Sequence, residues 1–183
     1  MELIREQLHQ NGLKDQDWQK DHARERALRE ALMLQRDTFQ HFVTLTFPAP
    51  LSPADAAACT LSALSALQHH IGTHLKHFAT LSLDQKYQWR AADDMHQDTT
   101  ELVTRWHVHL LVSGIDDHLT LRQIEQFFQN QGFGETRALH ANGAAALMAY
   151  CTDSWRGNRV GKLQFTNDRT IRTHMTRMGH RID

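Results

Sequence analysis

The stretch RWHVHLLVSG, residues 105–114, limits what this chain can fold into more than any other. In an extended strand, Trp106, Val108, Leu110 and Val112 fall on one side, and His107, His109 and Leu111 fall on the other. The alternation is that of a half-buried strand, and Gly114 ends it. Such a strand turns one apolar face to a core and carries two imidazoles about 7 Å apart on the reverse face. A companion strand reads from HFVTLTFPAP, residues 41–50. Val43, Leu45 and Phe47 alternate there with Phe42, Thr44 and Thr46, and Pro48 and Pro50 stop it.

Helical and extended patterns alternate along the rest of the chain. Ser52 is placed as an N-cap, with Pro53 at the first helical position and Asp55 in the first turn of an Ala- and Leu-rich helix to about Leu75. QKYQWRAADD, residues 85–94, reads as a strand, and the polar loop MHQDTTEL leads from it into the histidine strand. TLRQIEQFFQNQG is a helix capped by Thr120 and stopped by Gly132, with Leu121, Ile124, Phe127 and Phe128 toward the core. GETRALH follows as a strand, NGAAALMAYCTDSW as a helix and GKLQF as a last strand. Ahead of them, residues 2–37 are charged and Pro-free, and Asn11–Gly12 divides them into two helices. The second carries an apolar stripe of Ala27, Leu28, Ala31, Leu32 and Leu34 for docking.

The expected fold is α+β, a central antiparallel sheet with helices over one face. It divides into an N-terminal helical extension at 1–40, a body at 41–166 and a basic C-terminal tail at 167–183. That tail, with Arg169, Arg172, Arg177 and Arg181, reads as a solvated tail or a DNA-contacting helix.

Bulk properties set limits. A chain of 183 residues suits one domain with a full core. The formal charge is −1 with neutral histidines, so any field that attracts nucleic acid must be local. The 14 histidines make the chain more cationic below neutrality. Cys59 and Cys151 form neither a disulfide framework nor a zinc cluster, which fits a reducing cytoplasm. The N-terminus has no apolar signal region, and no apolar run approaches the roughly 20 residues that span a bilayer. The expectation is a cytoplasmic protein without membrane contact. On spacing alone the histidine pair has two readings. It is either half of a divalent metal site, completed by an oxygen ligand from a neighbouring element, or two unrelated surface histidines in a histidine-rich chain.

HVHLLV resembles the His-hydrophobic-His motif of the HUH endonuclease superfamily, which includes rolling-circle replication initiators, conjugative relaxases and single-strand transposases. FVTLTF is similar to the strand motif that precedes the histidines in replication initiators. GFGETRALHANGAAALMAYCTDSW resembles their third motif, a glycine-bounded strand and then a helix that carries the nucleophilic tyrosine in a Tyr-x-x-Lys pattern. The three motifs stand in the family's order over roughly residues 41 to 165.

The resemblance implies a single-strand DNA endonuclease, a nickase and ligase working through a 5′-phosphotyrosine intermediate, in a plasmid or phage rolling-circle replication initiator. A relaxase or transposase with the same chemistry is the alternative, as is a catalytically inactive DNA-binding relative. By the same resemblance His107 and His109 are metal ligands for Mg²⁺ or Mn²⁺, and Tyr150 is the nucleophile. Of the chain's two tyrosines, the other, Tyr87, lies in an expected strand. The third ligand is open between Asp94, Asp93 and Glu101, with Asp94 preferred. The family's lysine is Asp153 here, so Arg156 or Lys162 would have to supply the positive charge near the phosphate. Thr44 and Thr46 are candidate phosphate or sugar contacts, and Trp89 or Trp155 candidate stacking platforms. Partners implied are single-stranded and origin duplex DNA, a host helicase and a polymerase. The chain has no GxxxxGK[ST] phosphate loop, in keeping with rejoining that needs no ATP.

Overall fold

The histidine strand lies in the middle of a five-stranded sheet. The structure, a computed structural model, describes residues 15–90, 99–115, 119–152 and 163–182. In chain order the elements are α1 (Asp15–Leu34), a 3-10 turn (Arg36–Thr38), β1 (His41–Thr46), α2 (Pro53–Ile71), β2 (Lys76–Arg90) and β3 (Thr99–Ser113). Then come α3 (Leu121–Asn130), β4 (Thr136–His140), α4 (Ala145–Thr152), β5 (Leu163–Thr166) and α5 (Arg169–Arg177). The strands are ordered β4-β1-β3-β2-β5, and every neighbouring pair is antiparallel. The fold is α+β, as expected.

The period-2 alternation sorts side chains into two cores. Val43, Leu45, Ala79, Leu81, Val108, Leu110, Val112 and Phe165 pack under α2 and α3 through Ala63, Leu64, Leu67, Ile124 and Phe128. On the reverse side Phe42, Phe78 and Leu111 pack with Ala27, Leu28, Ala31 and Leu32 of α1, Met148 and Cys151 of α4, and Ile171 and Met175 of α5. Helices therefore cover both faces, not one. The reason is that one apolar residue on each of the three central strands, Phe42, Phe78 and Leu111, is enough to seat a second layer.

Helix ends follow local chemistry. Ser52 accepts the Asp55 N–H at 3.1 Å and Pro53 opens α2. Thr120 and Gln123 form a reciprocal capping box on α3, with Thr120 Oγ1 accepting at 3.3 Å and Gln123 Oε1 accepting at 2.8 Å. Other boundaries moved. Helix α2 stops at Ile71 instead of about Leu75, because Gly72 takes φ 72° and turns the chain out. Strand β2 then starts at Lys76, not near residue 85. Residues 99–102 of the expected loop are strand, and β2 and β3 stay paired out to Arg90 and Thr99. Leu34, assigned to the α1 stripe, is 68% exposed at the helix end. Residues 169–177 form a helix whose Ile171 and Met175 are buried. The break at Asn11–Gly12 lies outside the described residues. Among the described residues, no helix is long and apolar enough to cross a membrane.

Candidate functional site

Antiparallel register builds the site. Thr44 pairs with His109, His109 with Thr80 and Thr80 with Gln164, while Arg137 of β4 pairs with Thr44. A polar row thus crosses all five strands on the reverse face. The next row holds Thr46, His107 and Ser82. Phe42, Leu111, Phe78 and Thr166 form the row on the other side of His109.

The two imidazoles lie with ring centroids 4.6 Å apart, and both are nearly covered, His107 at 7% exposure and His109 at 3%. Thr44 Oγ1 and His109 Nδ1 are hydrogen-bonded at 3.3 Å. The Phe42 ring stacks on His109 at 5.6 Å, with 11° between planes, and holds the imidazole upright. Such support from the far side of a ring orients a ligand before any ion arrives.

Tyr150 comes from α4 and lies edge-on to His109, centroids 4.7 Å apart at 70°. Phe42 touches its ring edge at 6.4 Å. Two bonds to other elements hold α4 in that place, from Thr80 and from Arg29. Thr80 donates to the Cys151 carbonyl at 2.9 Å, so the sheet row itself ties down the residue after Tyr150. Thr152 donates to the Met148 carbonyl at 3.2 Å and accepts from Arg29 of α1 at 3.4 Å. Gln164 accepts from Arg24, which anchors α1 across the far end of the row.

Of the residues expected from sequence, His107, His109, Thr44 and Tyr150 come together. Thr46 stands beside His107 in register, but its hydroxyl donates to the Glu135 carbonyl at 3.0 Å. Glu101 lies on β3 itself, opposite Gln88 and six residues before His107, about 20 Å along the strand. Trp89 lies on β2 opposite Thr100. Asp93, Asp94, Asp153, Trp155, Arg156 and Lys162 lie outside the described residues.

Sequence reasoning missed the contribution of β2, because it began that strand too late. Ser82, fully buried opposite His107, has a hydroxyl without a hydrogen-bond partner among the described residues. Asp84 lies two residues further along β2, opposite Arg105. The place of Ser82 on β2 could have been found from a pattern started at Lys76.

Comparison with protein-family models, with curated proteins and with solved structures returned no match. What the site can do is therefore read from its chemistry. Among the described residues no group of three His, Cys, Asp or Glu side chains surrounds the pair. The donors that are present, two imidazoles beside a buried hydroxyl, suit a nitrogen-tolerant divalent ion better than Mg²⁺, which prefers oxygen.

Proposed function

We propose that the chain is a metal-dependent enzyme that nicks and rejoins single-stranded DNA through Tyr150, in the manner of a rolling-circle replication initiator. The observation that carries the reading is the seating of the Tyr150 ring 4.7 Å from His109 on the face that also bears His107. A tyrosine hydroxyl is one of the few neutral groups that can act as a phosphoryl acceptor, and it needs a charge-stabilising neighbour to do so. His107 and His109, with a carboxylate such as that of Asp94, would hold a divalent ion. When bound, that ion neutralises the non-bridging phosphate oxygens as charge develops on them.

The residues of the chain carry the rest. The Tyr150 hydroxyl loses its proton as its oxygen bonds to phosphorus, and the bridging 3′ oxygen leaves and is protonated. The products are a 5′-phosphotyrosine and a free 3′-hydroxyl. Reversal of the same step rejoins the strand without ATP, since the phosphodiester bond energy is kept in the phosphotyrosine. Phe42 and Thr44 fix the angle of His109, and the Thr80–Cys151 bond fixes the approach of α4.

A DNA-binding relative without cleavage is the second reading. The burial of His107 and His109 favours it, as does Asp153 where the family has lysine. Single-stranded oligonucleotides of varied sequence incubated with Mn²⁺ or Mg²⁺ separate the two. Cleavage with a DNA adduct on Tyr150 in the mass spectrum supports the enzyme. Binding across the set with no cleavage in either ion supports the second reading.

A further inference from the structure

The C-terminal helix α5 has two unlike sides. Ile171 and Met175 are buried against α1, and Arg169, Arg172, Thr173, Thr176 and Arg177 are exposed. At 100° per residue these five share one arc of about 140°. An open trough of about 610 Å³ runs along it, lined by Asn167, Arg169, Arg172, Thr173, Thr176 and Arg177. Described ion pairs use His22, Arg36, Lys76, Arg137 and His174, and none of these three arginines. The chain's formal charge is −1, so a stripe of three uncompensated arginines is a local departure from the whole.

We infer that this face of α5 is a docking surface for the phosphate backbone of duplex DNA. Arg169 and Arg177 are eight residues apart, about 12 Å along the helix axis. A B-form strand carries one phosphate per roughly 3.4 Å, so the stripe spans three to four of them. Guanidinium groups pair with phosphate oxygens bidentately, and the Thr173 hydroxyl adds a neutral donor between them. Nothing in the stripe reads a base edge, so the surface adds affinity and not sequence preference. It takes its nucleic-acid partner from the proposed function but does not depend on the cleavage step.

The test is fluorescence anisotropy of a labelled 20-base-pair duplex with the full chain, titrated in salt. Three neutralised phosphate contacts contribute about 2.7 to the slope of log affinity against log salt. In Arg169→Gln/Arg172→Gln/Arg177→Gln the slope falls by that amount, so the loss of affinity between 50 and 200 mM salt is about 40-fold smaller than in wild type. Thr173→Glu/Thr176→Glu, which keeps all three arginines, weakens binding at least tenfold by placing like charges in the stripe. It serves as the second arm should the triple variant fail to fold. Tyr150→Phe retains the wild-type slope. A slope unchanged in the triple variant overturns the inference, as does the absence of duplex binding by wild type. Binding to phosphatidylcholine–phosphatidylglycerol vesicles but not to duplex reassigns the stripe to a membrane surface. If nicking is never seen and the slope still falls, the docking surface stands and the proposed function does not.

Discussion

The two faces of the sheet come from the same strands and the same alternation, yet they differ in kind. On the α2–α3 side every buried sheet position near the centre is apolar, and the layer closes like any other hydrophobic core. On the α1–α4–α5 side a row of Thr44, His109, Thr80 and Gln164 and a second row of Thr46, His107 and Ser82 lie between apolar rims. Burying polar groups is costly unless each finds a partner. Thr80 and Thr46 find backbone carbonyls, Gln164 finds Arg24, and Thr44 finds His109. A face built only for stability would have used valine at these positions. The difference teaches that the first face is an ordinary apolar core, while the second keeps rows of polar groups buried between apolar rims.

The sharpest way to break this comparison is to remove one oxygen. Tyr150→Phe should abolish nicking, by at least about a thousandfold, while the thermal midpoint stays within a few degrees. Gel-resolved oligonucleotide cleavage and a thermal melt read the two quantities side by side. Cleavage at the wild-type rate in this variant would mean that nicking does not use Tyr150.

On the opposite face the effect reverses. Leu110 is fully buried among α2 and α3, so Leu110→Ala should cost about 2 to 5 kcal/mol by urea denaturation. Cleavage per folded molecule should remain.

Two histidines lie at the margin of the apolar face, His41 and His77, on either side of Val112. His77, beside Phe165, is held to a pKa of about 4, first by desolvation and then by the charge of His74. Its folded value lies below the unfolded 6.5, so the unfolded chain binds the proton more readily in between. Its contribution is complete above about pH 6.5 and is lost as pH falls toward 4, by at most about 3 kcal/mol. Stability curves at pH 7 and pH 4.5 for wild type and His77→Asn check this. The acid loss should shrink in the variant, and an equal loss in both would assign it to other groups.

The smallest expected effect is Thr44→Val, which removes the hydroxyl at His109 Nδ1. It should cost about 1 kcal/mol of stability and lower cleavage more than it lowers DNA binding. Equal losses in both would make Thr44 a DNA contact and not a support for the imidazole.

Much of the fold was legible from local pattern. The alternation of residues 105–114 and 41–47 marks β3 and β1 because a strand sets its period at two. Ser52, Pro53 and Thr120 mark helix starts because their chemistry satisfies orphan amides in the first turn. Less legible was the segment from Thr73 to Asp84. His74, Leu75, Lys76 and His77 continue a helical composition, and only the left-handed turn at Gly72 separates them from α2. That misplacement hid Ser82. For α5, the arginines outweighed Ile171 and Met175, and two apolar residues four apart are a thin signal without a known surface to receive them.

By itself the sequence determined which residues share a side of each strand, since that follows from the period alone. It thus paired His107 with His109 and set Thr44 apart from Val43. Only the tertiary structure decided which rows meet. A shift of two residues in any strand pairing preserves every apolar face, so periodicity is blind to it, and only the assembled sheet aligns Thr44, His109, Thr80 and Gln164. The same holds for Tyr150. Its distance from His109 depends on a bond between Thr80 and Cys151, residues 71 apart in sequence, and no local rule connects them.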